Sequence, residues 1–206
     1  MAAATNFIAA AKLLLARGAD SQEQAINLLT KSEVQTQRAS HIIRQLRDLT
    51  SPSPEVRREV SVNDIVTDAL GLMDADVRRH NVSVETRLSL ENPKIVVDEV
   101  QIQQVLINLI RNALDAMADQ SPSHRQLTVS TMQLEREQTA ILVADSGPGI
   151  SSDDVGRLFD AFFSTKPDGM GIGLSISRTI VEAHGGTIGV NSTEDAPVGA
   201  SFQVTL

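Results

Sequence analysis

The stretch ILVADSGPGI, residues 141–150, joins an apolar run to a polar turn that contains two glycines. The apolar half has the composition of a buried strand. A carboxylate at the end of such a strand, here Asp145, can accept a hydrogen bond from an exocyclic amine, and the glycines allow a flat ring to approach the backbone. A plain turn between a strand and a helix is the alternative, because such residues are common turn signals.

A second glycine-rich stretch, GMGIGLSI at residues 169–176, runs directly into a predicted helix from Ile172 to His184. Backbone amides at the start of such a helix form a binding site for phosphate. The glycines alternate, so their spacing matches neither the dinucleotide fingerprint nor the P-loop. The segment therefore predicts a phosphate site of another kind.

Between the two glycine stretches, FDAFFSTK at residues 159–166 holds three of the chain's five phenylalanines. A local hydrophobic cluster that holds a loop down is enough to explain these aromatic residues. Lys166 ends the cluster and precedes the second glycine stretch. Its long, flexible side chain could reach a phosphate as a point charge.

Asn108, Asn112 and Asp115 are spaced four and three residues apart in a predicted helix, Asp98 to Ala118, and therefore lie on one helical face. Asparagine is a mediocre helix former, so two of them on one stripe need a reason. Side-chain amide oxygens are hard ligands that suit magnesium, which shares its sites with phosphates. A polar, solvated helix face is the alternative, and these residues alone do not decide between the two.

Helix and strand patterns after residue 56 predict an α+β sandwich of two layers with mostly antiparallel strands. A final hairpin is expected to pair Thr187–Asn191 with Ala200–Leu206. The other predicted elements are a helix from Asn63 to Arg79 and the strands Glu59–Val62, Val82–Leu90, Ile95–Val97, Leu127–Leu134 and Thr139–Ala144.

The N-terminal residues predict a helical hairpin. Residues 2–17 favour a helix, and Ser21 with Gln24 forms a capping box that starts a second helix, which runs to about Leu49. Two helices alone cannot bury a wide apolar face, so a second copy is expected to complete a dimeric four-helix bundle. Two Ser-Pro pairs then mark a linker. The expected division is hairpin 1–50, linker 51–55 and a second domain 56–206.

Composition argues against several classes of function. The net charge is −8 and aromatic residues make up only 2%, so a nucleic-acid surface is not expected. There is no cysteine, which excludes disulfides and thiolate metal sites. No apolar run reaches the roughly 18 residues that span a bilayer, and the N-terminus lacks the pattern of a signal peptide. We expect a cytoplasmic chain without direct membrane contact. No two of the four histidines have the spacing of metal ligands.

The four segments, in this order, resemble the nucleotide-binding domain of sensor histidine kinases of the oxygen-sensor type. Residues 108–115 are similar to the asparagine box, 145–149 to the first glycine box, 159–166 to the phenylalanine box and 169–174 to the second glycine box. Each segment alone is a weak signal, but four in register are highly specific. The resemblance extends over about residues 56–206.

This resemblance implies a Bergerat-type ATP fold with ATP and Mg²⁺ as cofactors. It implies that Asn112 is the magnesium ligand, supported by Asn108, and that Asp145 binds the adenine amine. The segment between the glycine boxes would be a lid over ATP. The other ATP-binding residues that it implies are Asp115, Gly147, Gly149, Ile150, Lys166, Gly169, Gly171, Ile172, Gly173, Leu174 and Ser201.

Residues 38–48 resemble the second helix of the dimerisation and phosphotransfer hairpin of these kinases. In the family the acceptor histidine lies in the first helix, in an H-E-x-N-Q-P-type motif that would end almost where this chain begins. No histidine precedes His41, and His41 lies about 120° from the centre of the apolar stripe. The chain is therefore either a piece of a longer kinase or a degenerate relative, and the intact ATP motifs favour a piece. We expect that it binds ATP but lacks its acceptor histidine, so that it does not phosphorylate itself. The implied partners are a second copy through residues 1–50, a response-regulator receiver domain and an upstream sensor domain.

Three other functions use a similar ATP fold. Gyrase-like and mismatch-repair ATPases and ATP-driven chaperones hydrolyse ATP with a glutamate one helical turn before the metal asparagine. Here Asn108 takes that position, and an amide cannot accept a proton from water. A histidine phosphotransferase would have a degenerate ATP domain, whereas the four boxes are intact. Anti-sigma kinases lack a helical hairpin of this type.

Overall fold

The chain divides into two compact units, Met1–Ser53 and Pro54–Leu206. The structure is a computed structural model that describes residues 2–16, 21–32, 36, 56–134, 138–166, 170–190 and 199–206. Within these ranges, no helix combines the length and the apolar character needed to cross a bilayer.

The first unit contains two described helices, which confirms the predicted helical hairpin over these residues. Helix α1 is Ala2–Ala16, and α2 comprises residues 22–32. Ala11 and Ala25 are fully buried, so the small side chains mark the faces that are covered. The predicted continuation of α2 to Leu49 lies outside the described residues, as do His41 and the linker 51–55.

The second unit is an α+β fold, as the sequence predicted, and it contains two sheets. Its strands are β1 Arg58–Ser61, β2 Ser83–Arg87, β3 Lys94–Val97, β4 Gln126–Gln133, β5 Thr139–Asp145, β6 Thr187–Val190 and β7 Ser201–Thr205. Its main sheet has five strands in the order β2-β4-β5-β7-β6. All neighbouring strands are antiparallel except β2 and β4, which are parallel. The second sheet pairs β1 with β3.

Three long helices cover the buried face of the main sheet and form one hydrophobic core with it. The central helix contributes the largest apolar stripe, because its apolar residues recur at helical spacing. The helices are α3 Val62–Arg79, α4 Glu99–Ala116, the single-turn α5 Ser152–Val155 and α6 Gly173–Ala183.

Local capping sets where the helices begin, and it corrects two predicted boundaries. The Oγ of Ser61 accepts a hydrogen bond from Asp64 N at 3.1 Å, so β1 ends and α3 begins one residue earlier than the sequence predicted. Asp98 accepts hydrogen bonds from Val100 N and Gln101 N and is the N-cap of α4 rather than its first residue. Helix α5 was not predicted, because a single helical turn is too short to show a helical period in its apolar residues.

Arg125 holds the ends of two helices together. Its guanidinium donates hydrogen bonds to the backbone oxygens of His80, Ala118 and Gln120 at 2.5 to 3.0 Å. His80 is the C-cap of α3, and the other two residues follow the C-cap of α4. A cation is favourable here because the last carbonyl groups of a helix carry partial negative charge and lack partners.

We predict that Arg125→Ala lowers the free energy of unfolding by about 2–4 kcal/mol, since several carbonyl groups lose a charged donor together. Urea denaturation followed by circular dichroism measures the change. The matched control is Arg87→Ala, which removes an exposed arginine whose ion pair is with Glu85, and should leave the free energy of unfolding nearly unchanged. Equal stability of the two variants would contradict the role of Arg125.

Candidate functional site

Asp145 ends strand β5, and its side chain is only 5% exposed. Its Oδ1 accepts hydrogen bonds from Gly147 N at 2.8 Å and from Ala200 N at 3.4 Å. Burial raises the pKa of the carboxyl group above its ordinary value, while these two backbone donors and the charge of Lys166 act in the opposite direction. The structure thus places a carboxylate in a buried position with only part of its hydrogen-bonding capacity used.

The second oxygen, Oδ2, accepts no hydrogen bond from the described residues. It also keeps access to solvent, because the Oε1 of Gln120 is the only fully buried side-chain oxygen or nitrogen without a partner in the described part of the chain. Oδ2 is therefore available to a donor that enters from outside, such as an exocyclic amine.

The glycines around Asp145 are required by close packing. A Cβ on Gly147 would lie 2.6 Å from Asp145 Oδ1 and 3.2 Å from the Cβ of Ala116 in α4. A Cβ on Gly199 would lie 1.8 Å from the backbone oxygen of Asp145. Gly149 has a φ of +81°, which a residue with a side chain rarely adopts. The first glycine segment is therefore more than an ordinary turn.

The three polar residues on α4 have different surroundings. Asn108 donates from Nδ2 to the Oγ of Ser177 in α6 at 3.0 Å, and a Cβ on Gly173 would lie 2.5 Å from its Oδ1. Asn112 is half-buried, and its side chain makes no hydrogen bond within the described residues. Asp115 is exposed and forms an ion pair with Lys166, Nζ to Oδ2, at 2.9 Å. Asn108 thus joins two helices, whereas the amide of Asn112 is open to a ligand.

The second glycine segment is packed against the phenylalanine segment. A Cβ on Gly171 would lie 2.3 Å from the backbone oxygen of Phe163, and Phe162 N donates to Gly171 O at 2.9 Å. Helix α6 then begins at Gly173, and its N-cap, Ile172, makes no capping hydrogen bond from its side chain. The first amides of α6 therefore remain available to an anion. Gly169 lies outside the described residues.

The phenylalanine segment contains both a cluster and an exposed ring. Phe159 is buried edge-on against Phe202, with ring centroids 6.4 Å apart, and the guanidinium of Arg178 lies over its face. Phe162 is 79% exposed and has a φ of 69°, which is strained for a residue with a side chain. The hydrophobic-cluster interpretation therefore holds for Phe159 and does not hold for Phe162.

The remaining predicted residues lie beside the core. Ile150 and Leu174 are partly buried and pack against it. Ser201 is buried in β7, where its Cα is opposite that of Ala144, one residue before Asp145. Four polar groups that position the site residues were not predicted from the sequence. They are the side chains of Gln120, Ser146 and Ser177 and the backbone N–H of Ala200.

His184 lies at the opposite end of α6. Its Nδ1 is 2.8 Å from Ile180 O, and its Nε2 accepts a hydrogen bond from Asp98 N at 3.1 Å. His184 therefore joins the end of α6 to the start of α4.

The donor groups fit a magnesium ion that is shared with phosphate. Among the described residues, no group of three or more histidine, cysteine, aspartate or glutamate side chains could hold a metal. Asn112 instead offers one hard amide oxygen, and magnesium commonly combines one or two protein oxygens with phosphate oxygens and water. A nucleotide that brings its own phosphates would complete such a site.

Comparison with known proteins agrees with this geometry. The profile of the family described as "Histidine kinase-, DNA gyrase B-, and HSP90-like ATPase" matches residues 97–206. Sensor protein FixL of Bradyrhizobium diazoefficiens is 38% identical over the whole chain, which spans 40% of the length of FixL. The solved catalytic domain of histidine kinase ThkA has a TM-score of 0.64 and is 28% identical. The match covers 73% of this chain and 94% of the solved ThkA chain.

A structure of ThkA in complex with response regulator protein TrrA has a TM-score of 0.72 and 22% identity. The match covers 98% of this chain and 58% of the solved chain, and it supports the fold of both units. The match to the family profile covers more than half of the chain. The chain therefore belongs to the histidine kinase-, DNA gyrase B- and HSP90-like ATPase family, and it contains the ATP-binding domain of a sensor histidine kinase.

Proposed function

We propose that this chain is the catalytic part of a sensor histidine kinase that binds ATP with Mg²⁺ and transfers the γ-phosphate to a histidine. The observation that carries the proposal is Asp145, a buried carboxylate with one oxygen held by two backbone amides and the other open to a ligand. Oδ2 would accept a hydrogen bond from the adenine amine. The absence of Cβ atoms at Gly147 and Gly149 would leave room for the ring.

The phosphate end of the nucleotide would lie between α4 and the start of α6. Asn112 would hold Mg²⁺, and the ion would neutralise charge on the phosphate oxygens. The amides from Gly171 to Gly173 would bind phosphate oxygens, since the side chain of Ile172 does not cap them. Lys166 now pairs with exposed Asp115 and would exchange this weak contact for a phosphate.

Phosphoryl transfer is favoured over hydrolysis by Asn108. The related ATPases use a glutamate one turn before the metal asparagine, whereas this amide cannot act as a base. Its Nδ2 is also engaged with Ser177 Oγ. In the transfer, an imidazole nitrogen would bond to the γ-phosphorus as the bond to the β-phosphate oxygen breaks, which leaves ADP.

The division of labour follows the expected domains. Residues 1–50 would form the dimerisation and phosphotransfer hairpin, 51–55 the linker and 56–206 the ATP-binding domain. A receiver domain of a response regulator would take the phosphoryl group onto an aspartate, and a sensor domain would precede the hairpin in the parent protein. Because the chain spans less than half the length of FixL, these partners belong to the proposal for the whole protein.

We predict that Asp145→Asn weakens ATP binding about ten- to hundredfold, because an amide NH₂ would face the adenine amine. The Oδ1 of asparagine can still accept from Gly147 N and Ala200 N. Isothermal titration calorimetry with Mg-ATP measures the loss. An unchanged affinity would remove Asp145 from the binding site.

The same variant should not lose stability. Burial raises the pKa of Asp145, so its ionisation destabilises the native state progressively as pH rises from its ordinary pKa, about 3.9, through the raised value. Asp145→Asn should therefore be at least as stable as the wild type at pH 7, and its advantage should disappear below about pH 4. Urea denaturation at both pH values checks the sign.

We predict that the 206-residue chain does not phosphorylate itself, since no histidine precedes His41 in the hairpin. Incubation with γ-labelled ATP should leave no acid-labile, base-stable label on the protein. An added upstream segment with the H-E-x-N-Q-P pattern should restore the label. Stoichiometric labelling that His41→Gln abolishes would show that the acceptor was misassigned.

The hairpin unit exposes large apolar side chains that a second copy would cover. They are Ile8, Leu13, Leu15, Ile26 and Leu29, which are 39% to 65% exposed. We predict a dimer at micromolar concentration, detected by light scattering, and a shift towards monomer when Leu13 and Leu29 are changed to glutamate. A monomer at high concentration would contradict dimerisation through this unit.

A further inference from the structure

Gln120 lies in the turn after α4 and contacts the segment that follows Asp145. Its Nε2 donates a hydrogen bond to the backbone oxygen of Ser146 at 2.6 Å. Its own backbone oxygen is held by Arg125. The side chain therefore extends from a fixed point to the backbone beside the proposed adenine site.

The Ser146 oxygen that accepts this hydrogen bond belongs to the peptide unit between Ser146 and Gly147. The carbonyl of Ser146 and the N–H of Gly147 are the two polar ends of one planar peptide bond. That N–H is the donor that holds Asp145 Oδ1 at 2.8 Å. Gln120 and Asp145 are thus joined through a single peptide unit, although 25 residues separate them in the sequence. A hydrogen bond to the carbonyl polarises the unit and strengthens its N–H as a donor.

The other polar atoms of Ser146 are fixed from the opposite side. Ser146 N donates to Gln126 O at 3.0 Å, and its Oγ accepts from Gln126 N at 2.9 Å. These bonds position the residue, but they leave its carbonyl free to tilt. Among the described residues, Gln120 is the side chain that fixes the carbonyl, and with it the orientation of the Gly147 N–H.

This contact leaves an oxygen without a partner. Gln120 Oε1 is buried and accepts no hydrogen bond in the described part of the chain. A buried acceptor without a partner destabilises a fold by about as much as a typical hydrogen bond stabilises it. Stability alone therefore gives little reason for a glutamine here, which points to a role in the neighbouring site.

We propose that Gln120 is a positioning residue for adenine recognition: through the Ser146–Gly147 peptide unit it orients the Asp145 carboxylate, so that Oδ2 faces the exocyclic amine. This inference rests on the proposed function of Asp145. Gln120 itself would not contact the nucleotide. Its effect is confined to the adenine end, because its bond leads to Asp145 and not to Asn112 or α6.

The experiment compares ATP with inosine triphosphate, in which a carbonyl oxygen replaces the adenine amine. Gln120→Met keeps the length and volume of the side chain but removes both the donor and the buried oxygen. Calorimetry with magnesium present should show ATP affinity reduced about three- to tenfold and inosine triphosphate affinity changed less than about twofold. The melting temperature should not fall, since the lost hydrogen bond and the lost unsatisfied oxygen offset each other.

Two further variants separate positioning from a general structural effect. Gln103→Met is the matched control, because Gln103 lies on α4 itself and donates to Asp68 at 3.4 Å on the surface, away from the Ser146–Gly147 peptide unit. It should leave the preference for ATP unchanged. In an Asp145→Asn background, Gln120→Met should have no further effect on that preference, since both act through the same carboxylate.

Each other outcome has a distinct meaning. If Gln120→Met weakens both nucleotides equally, or lowers the melting temperature in parallel, its role is structural and the inference is wrong. The same follows if the wild type prefers ATP and the variant keeps the full preference. If the wild type does not distinguish the two nucleotides, the adenine role of Asp145 fails, and the inference fails with it.

Discussion

The hydrogen bond from Gly147 N to Asp145 Oδ1 is the constraint on which the candidate site depends. A buried carboxylate is costly unless it is hydrogen-bonded, and this bond is possible only because the turn folds back tightly on the end of β5. The tight turn in turn excludes a Cβ at residue 147, and Gly199 must be equally small because it lies against the backbone of Asp145. The segment that leads into β7 and the first glycine segment are therefore both packed against Asp145.

Helix α4 and the turn after it serve the two ends of the proposed nucleotide site. Asn112 offers its amide near the C-terminal end of α4, and Gln120 reaches the peptide beside Asp145. Arg125 fixes that turn by holding the carbonyl groups of Ala118 and Gln120, which follow α4, and the C-cap of α3. The hydrophobic stripe of α4 keeps the helix against the sheet, so packing in the core sets the positions of polar groups at the surface of the site.

Most strands and the three long helices were predictable because their hydrophobic periods are local properties of the sequence. The special segments were also visible, since glycines and asparagines in such positions conflict with ordinary propensities. The contacts of Asn108 with Ser177, Gln120 with Ser146 and Lys166 with Asp115 were not predictable. They join residues that are 26 to 69 positions apart, and nothing local in either partner identifies the other. The parallel pairing of β2 with β4 was missed for the same reason.

Helices α4 and α6 are attached to each other at two separated points. Asp98 at the start of α4 is bonded to His184 at the end of α6, and Asn108 is bonded to Ser177 near the middle of α6. The two attachments are ten residues apart on α4, about 15 Å along its axis. Two separated attachments oppose rotation of one helix relative to the other, so α4 and α6 should move together as one rigid unit. A change in the distance between Asp145 and the start of α6 would therefore not come from movement of α6 relative to α4.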